Sequence, residues 1–164
     1  MIQLIILDVD GTLTNGQIIY GNDGNEIKSF NVKDGLGIAA WIKLGKKVAI
    51  ITGRQSKIVE NRARELNITY IKQGISNKAE ALKEILEESQ IPLNEVAVIG
   101  DDLNDLSMFK MVHYSFAPKD SAKEIKKHAK KVLKNKGGEG VVREMIDYLI
   151  KKEKLQAKLY EIFL

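Results

Sequence analysis

The sequence contains no cysteine, and several other features are scarce. Without cysteine the chain has no disulfides, no thiolate zinc ligands and no thiol nucleophile. Only 2 of 164 residues are proline and 44% are apolar, which is typical of one folded domain. No apolar run approaches the roughly 18 residues that a membrane span requires. Residues 3–9 already have the character of a buried strand, so we expect no secretory signal and no membrane partner, and predict a cytoplasmic protein.

Positive charge is present in slight excess, with 26 basic against 22 acidic residues. The excess is concentrated in residues 119–136, where eight lysines accompany Asp120 and Glu124. The spacing of these lysines predicts the solvent-exposed face of a helix. A nucleic-acid-binding patch is the alternative. Because the segment has no arginine and no interleaved aromatic residue, we expect no nucleic-acid partner.

Predicted strands and helices alternate along most of the chain. Apolar runs predict buried strands at residues 3–9, 47–51, 68–71, 96–99 and 113–116. Between and after them, helices are predicted at residues 34–44 (with Asp34 as its cap), 56–66, 77–89 and 103–110, in the lysine-rich segment, and in a last helix ending near residue 152. This alternation predicts an α/β fold with a doubly wound, Rossmann-like parallel sheet.

Residues 17–30 interrupt the alternation. A glycine-rich turn at residues 21–25 lies between two short apolar stretches, which predicts a β-hairpin. We expect a small flap at about residues 15–29 and no separate cap domain. Residues 1–152 then form a single domain, and residues 153–164 form a tail too apolar to remain in solvent. The tail is expected to contact either its own chain or a neighbouring subunit.

Polar residues follow three predicted strands, at the edge of the sheet where such folds bind ligands. They are Asp8 and Asp10 after the first strand, Thr52 and Gly53 after the second, and Asp101 and Asp102 after the third, with Lys78 at the start of a helix. Each position alone has an ordinary explanation as a turn, a helix cap or a solvated lysine. Their occurrence together at one edge indicates a site for phosphoryl transfer.

Phosphoryl transfer requires a nucleophile, a proton donor and a cation that lets carboxylates approach a phosphate. Asp8 is suited to be the nucleophile and a metal ligand, and Asp101 to be the second carboxylate ligand. Asp10 is suited to exchange protons with the leaving group and water, while its backbone carbonyl can bind the metal. The expected cofactor is Mg²⁺.

The phosphate itself needs donors and positive charge. Thr52 and Gly53 can donate hydrogen bonds to its oxygens, and Lys78 can neutralise it.

This constellation resembles the haloacid dehalogenase superfamily of phosphotransferases, whose four motifs match residues 8–12, Thr52, Lys78 and residues 100–102 followed by Asp105. The resemblance covers nearly the whole chain. It implies the roles given above for Asp8, Asp10, Asp101, Thr52 and Lys78. It also implies that Asp102 and Asp105 do not bind the metal ion themselves but hold the metal ligands in position.

A narrower resemblance rests on residues 31–37, 51–54, 59–62 and 137–144, together with the missing cap domain. These features resemble 3-deoxy-D-manno-octulosonate 8-phosphate phosphatases. The resemblance implies hydrolysis of that sugar phosphate through an aspartyl-phosphate, and a homotetramer in which a neighbour's hairpin and tail help to close each site. The residues that it implies for binding the sugar acid are Asn31, Val32, Lys33, Asp34, Gly35, Arg54 and Arg62.

Alternatives remain open for the substrate and for the class of protein. Ala39 and Glu139 stand where members of this family often carry basic residues. Another sugar phosphate, such as a nonulosonate 9-phosphate, is therefore an alternative substrate. Two alternatives are not phosphatases: a non-catalytic phosphatase-like binding module, and a signalling receiver domain, whose acceptor aspartate ends a middle strand.

Overall fold

The computed structural model describes residues 1–164, which form eight strands and seven α-helices. The strands are β1 (Leu4–Leu7), β2 (Ile19–Tyr20), β3 (Glu26–Ile27), β4 (Lys47–Ile51), β5 (Tyr70–Lys72), β6 (Val96–Ile99), β7 (Tyr114–Ala117) and β8 (Lys131–Val132). The helices are α1 (Val32–Lys43), α2 (Lys57–Glu65), α3 (Lys78–Ser89), α4 (Leu106–Met111), α5 (Lys123–His128), α6 (Val141–Lys152) and α7 (Gln156–Phe163). No helix is long and apolar enough to cross a membrane.

Six strands form one parallel sheet in the order β5-β4-β1-β6-β7-β8. Numbered along the chain without the hairpin, these strands have the order 3-2-1-4-5-6 of the Rossmann fold, so the predicted fold class is confirmed. Receiver domains have the order 2-1-3-4-5, which excludes that alternative. The predicted hairpin is also present, with Ile19 opposite Ile27 and Tyr20 opposite Glu26.

Alternate side chains of each strand pack on opposite faces of the sheet. In β1, Ile5 and Leu7 belong to one apolar cluster, whereas Leu4 and Ile6 belong to the other. Helices α1, α2 and α6 cover the first face, and α3, α4 and α5 cover the second. Burial of each such side chain contributes roughly 1.5–3 kcal/mol, which explains why the central strands contain almost no polar residues.

The start of α1 differs from the prediction. The cap is Asn31, whose side chain accepts a hydrogen bond from the Lys33 backbone amide at 2.8 Å. Asp34 lies inside the first turn and is buried, so the prediction that it caps α1 is wrong. The helix ends as predicted, with Gly45 in a left-handed conformation after Leu44.

The lysine-rich segment is not a single helix. Helix α5 has only six residues, and the chain then turns into β8, the outermost strand of the sheet. The Ser115 hydroxyl accepts from the Lys130 amide at 3.1 Å, and the Leu133 amide donates to the Ala117 carbonyl at 2.8 Å. Backbone groups of residues 130–133 thus form hydrogen bonds with β7 and Ser115 in place of helical hydrogen bonds. This strand pairing also buries the Leu133 side chain in the core.

The C-terminal tail forms α7. Leu155, Leu159 and Ile162 pack against the apolar cluster beneath α1 and α6, whereas Tyr160 and Phe163 are exposed. The tail therefore contacts its own chain and still presents apolar surface to solvent.

Candidate active site

The residues predicted for catalysis, metal binding and phosphate binding lie around the point where the strand order reverses. Strands β1 and β6 are neighbours in the sheet, and the chain leaves them in opposite directions. Their carboxyl ends open into a cavity of about 480 Å³. It is lined by Asp8, Asp10, Gly16, Thr52, Gly53, Arg54, Asp101, Asp102, Leu103 and Asn104.

A buried trio of charges forms the floor of the site. The Lys78 ammonium lies 2.6 Å from an oxygen of Asp8 and 2.6 Å from an oxygen of Asp105. All three residues are buried. Lys78 is the first residue of α3, whose cap Asn77 accepts from the Glu80 amide at 3.2 Å. The capped helix thus fixes the lysine beneath β1.

Asp105 has both carboxylate oxygens engaged. One holds Lys78, and the other accepts from the backbone amides of Asp101 at 2.9 Å and Asp102 at 3.3 Å. A Cβ atom on Gly100 would overlap the Asp105 side chain, so only glycine fits there. Asp105 therefore holds the loop after β6 in place, whereas Asp8 and Asp101 line the cavity.

Burial and crowding of negative charge change the acidity of both cavity carboxyls. Burial, and then the Asp105 carboxylate, raise the pKa of Asp8 well above its usual 3.8 even though Lys78 opposes them. Burial, with Asp105 and Asp102 nearby, raises the pKa of Asp101 to about 7. Burial lowers the pKa of Lys78, but Asp8 and Asp105 outweigh this, so the lysine stays charged. One lysine leaves this group of carboxylates with an excess of negative charge.

The donor set fits Mg²⁺. Carboxylate oxygens of Asp8, Asp101 and Asp105 lie within 4.8 Å of one another, and oxygen is the donor that this hard cation prefers. Because Asp105 is engaged elsewhere, Asp8 and Asp101 are the carboxylates left for a metal ion. Gly11, with φ of 92°, allows the Asp101 carboxylate to lie directly against the backbone beside Asp10, where a Cβ would overlap it.

The hairpin flap lies over the same cavity and adds residues that the sequence analysis missed. Lys28 lies 2.5 Å from Asp10 and 3.1 Å from Glu26, and its side chain is only 1% exposed. Arg54 lies 3.1 Å from Glu26 and 3.2 Å from the Tyr20 hydroxyl. Glu26 begins β3 and Lys28 follows its last residue, so their spacing of two is that of one strand face, but nothing in the sequence indicates that this face meets the cavity.

Most residues that the resemblance implies for sugar binding lie at the start of α1 instead of in the cavity wall. Only Arg54 lines the cavity. The side-chain amide of Asn31 donates to the Gly138 carbonyl at 3.3 Å, and Arg62 packs beside Gly35 and the ring of Phe30. Val32 and Lys33 are exposed on the first turn of the helix.

Asp34 faces the interior between α1 and α6. One carboxylate oxygen accepts from the Arg143 backbone amide at 2.8 Å, and the other is buried without a partner. Burial raises the pKa of Asp34 to about 6. The structure therefore places Asp34 as a cap of α6 and not at the cavity.

The glycine-rich motif before α6 supports the loop that follows β1. The Gly138 amide donates to the Thr12 carbonyl at 3.0 Å, and a Cβ on Gly137 would overlap the Gly11 carbonyl. The motif thus packs against the backbone that carries Asp8 and Asp10.

Comparison with known proteins agrees with this geometry. Residues 70–145 match the profile of haloacid dehalogenase-like hydrolases. The chain is 45% identical over 149 residues to the 3-deoxy-D-manno-octulosonate 8-phosphate phosphatase KdsC of Escherichia coli K12, covering 91% of this chain and 79% of that protein. The chain belongs to the 3-deoxy-D-manno-octulosonate 8-phosphate phosphatase family, within the haloacid dehalogenase superfamily.

Solved structures of the phosphatase family share the fold. The phosphatase from Yersinia pestis superposes with a TM-score of 0.89 at 44% identity, covering 91% of this chain and 80% of that one. The phosphatase from Moraxella catarrhalis, in complex with a magnesium ion, a phosphate ion and a KDO molecule, has a TM-score of 0.95 at 37% identity, covering 99% and 94%.

Proposed function

We propose that the protein is a magnesium-dependent phosphatase that hydrolyses 3-deoxy-D-manno-octulosonate 8-phosphate to KDO and phosphate. The observation that carries the proposal is the cluster of Asp8, Lys78, Asp101 and Asp105 at the mouth of β1 and β6. The family relationship and the ligands of the Moraxella structure support the choice of reaction and substrate.

In the first step, a carboxylate oxygen of Asp8 attacks phosphorus. The bond between phosphorus and the sugar oxygen breaks, and the departing oxygen takes a proton from the Asp10 carboxyl. The products of this step are the free sugar acid and an aspartyl-phosphate on Asp8.

In the second step, Asp10 acts as a base. It takes a proton from water, the water oxygen bonds to phosphorus, and the bond between phosphorus and Asp8 breaks. Phosphate leaves, Asp8 is regenerated and Asp10 again carries a proton, so the cycle closes without any other reactant.

Asp8, Asp101 and the Asp10 carbonyl hold Mg²⁺ in this proposal. When bound, the ion neutralises the carboxylates and the phosphoryl oxygens so that they can approach one another. Thr52 and Gly53 donate to the phosphoryl oxygens from the end of β4, and Lys78 adds positive charge from below. Asp102 and Asp105 keep the loop after β6 in position.

Sugar-acid recognition is assigned to Arg54, Arg62 and residues 31–35. Arg54 is the member of this set that lines the cavity, and its planar guanidinium matches a carboxylate. Asp34 does not contact the sugar acid itself, because its carboxylate is buried against α6. Its contribution to recognition is to hold the start of α1 in position. Half-buried Ala39 and exposed Glu139 lie outside the cavity wall. Because Ala39 and Glu139 replace the basic residues that are common in this family, a nonulosonate 9-phosphate remains the alternative substrate to be tested.

The working assembly is a homotetramer of single-domain subunits in the cytoplasm. Ile18, Ile19, Tyr20 and Ile27 are 40–61% exposed on a two-stranded flap, which is marginally stable without a partner surface. Tyr160 and Phe163 of the tail add further exposed apolar area. In the assembly, a neighbour's flap and tail cover the open site.

The deciding experiment measures phosphate release from 3-deoxy-D-manno-octulosonate 8-phosphate with Mg²⁺, beside a nonulosonate 9-phosphate. Asp8→Asn and a chelator should each abolish release, while circular dichroism shows that the variant is folded. Unchanged turnover in Asp8→Asn would refute the assignment of Asp8 as the nucleophile. No release of phosphate from any ester would favour the non-catalytic binding module.

A further inference from the structure

Lys28 is a buried cation on the flap that directly contacts the proposed proton donor. We propose that Lys28 is a positioning residue for Asp10, fixing which carboxyl oxygen exchanges the proton. The inference rests on the proposed function, since it takes Asp10 to be the group that protonates the leaving oxygen.

The contacts of Lys28 tie the flap to the catalytic loop. Its ammonium lies 2.5 Å from Oδ1 of Asp10 and 3.1 Å from Oε1 of Glu26. The same Glu26 oxygen lies 3.1 Å from Arg54. The result is a continuous series of charges of alternating sign, from Asp10 through Lys28 and Glu26 to Arg54.

Strand geometry explains why these side chains point inward. Glu26 and Lys28 are two residues apart, so they share one face of the hairpin, and Tyr20 lies opposite Glu26 in register. Ile27 lies between them on the other face and is 54% exposed. The charged face of the hairpin thus contacts Asp10 and Arg54, which line the cavity, and Ile27 on the other face is exposed.

An ammonium on one carboxyl oxygen restricts the position of the proton. Oδ1 accepts a hydrogen bond from Lys28, so Oδ2 is the carboxyl oxygen left to exchange a proton. Glu26 gives Lys28 a second anionic partner, which holds the buried ammonium in place when Asp10 is neutral.

Proton donation matters most for poor leaving groups, which provides a specific test. We would compare Lys28→Met and Lys28→Arg with the wild type on aryl phosphates whose phenols differ in acidity, following kcat/KM, which reports the first chemical step. Lys28→Met should lower kcat/KM by about 10²-fold for the least acidic phenol, and progressively less towards p-nitrophenyl phosphate. Lys28→Arg, which keeps a cation, should recover part of the loss.

The matched control is Lys57→Met, at an exposed lysine that also forms an ion pair, with Glu60. It should leave the dependence on the leaving group unchanged. An equal loss across the aryl series, or no loss, in Lys28→Met would overturn the inference and assign the lysine to flap structure alone. A wild type that cleaves aryl phosphates but not the sugar phosphate would refute the proposed substrate and leave this test intact. A wild type that cleaves neither would refute the phosphatase function.

Discussion

Lys78 is the residue on which the electrostatics of the site depend most. Its side chain is fully buried, and its ammonium is held between Asp8 and Asp105. A buried charge of this kind is tolerated only because opposite charges lie within hydrogen-bonding distance. The arrangement holds Asp8, the proposed nucleophile, in a fixed position before substrate arrives.

Asp34 gives the stability of the protein a pH dependence. Its pKa is about 6 in the folded chain and 3.8 ordinarily, so between these values the folded state binds more protons than the unfolded state. The contribution of Asp34 to the free energy of unfolding is therefore greatest below about pH 4 and falls as pH rises towards 6. Asp34→Asn should remove the effect. In urea unfolding, the stability of the wild type relative to the variant should fall by up to about 3 kcal/mol from pH 4 to 7. A difference that is flat with pH would contradict this origin.

An ion pair far from the cavity joins the ends of three elements. Lys46, just before β4, lies 2.8 Å from Glu153, just after α6, and both contact the backbone of Ile2 before β1. The Lys46 side chain is 4% exposed. These bonds fasten the last long helix to the central strands.

Removing Lys46 should leave Glu153 buried without its partner. Lys46→Met is expected to lower the free energy of unfolding by about 3 kcal/mol, the range of broken buried pairs. Lys57→Met removes a lysine whose ion pair is exposed and should cost less than about 1 kcal/mol. Urea titrations of both variants supply the comparison; equal losses would show that burial of the pair is unimportant.

The sequence predicted best the elements that are buried on both sides. Strands β4 and β6 have the predicted bounds because their unbroken apolar runs reflect the burial of both faces. The cap of α1 was misassigned because Asn31 and Asp34 are both good caps, and only the tertiary contact with Arg143 separates them. The lysine-rich segment was misassigned because pairing with β7 is a long-range contact that local spacing does not encode.

The same distinction holds within the site. Asp8, Thr52 and Asp101 could be identified because they follow strands, and the fold brings strand ends together. Lys28 and Glu26 could not, because their contacts depend on how a hairpin folds over a cavity that lies far away in sequence. Positions next to regular elements are predictable from the chain, whereas closure by a flap is a tertiary property.

The outer face of the flap should control assembly. Ile19 and Ile27 are paired across the hairpin, 40% and 54% exposed, and away from the charged inner face. Ile27→Lys is expected to reduce the mass measured by light scattering from about four times the chain mass of 18.4 kDa towards that mass, and to lower activity. Val132→Lys changes a residue that is 42% exposed on β8 and should leave the mass unchanged. A monomeric wild type, or an unaltered Ile27→Lys assembly, would contradict the proposal.

The sheet has two edge strands, and their short lengths affect the tendency of the protein to aggregate at high concentration. The outermost strands, β5 and β8, have only three and two residues, and they carry Lys72 and Lys131. A sheet margin with free backbone groups can recruit a strand from another molecule and begin aggregation. Short strands that carry lysine offer few bonding groups and add a charge that an incoming strand would have to desolvate. At the β8 edge, the lysine-rich segment should therefore disfavour strand addition by another molecule, a role that needs no ligand.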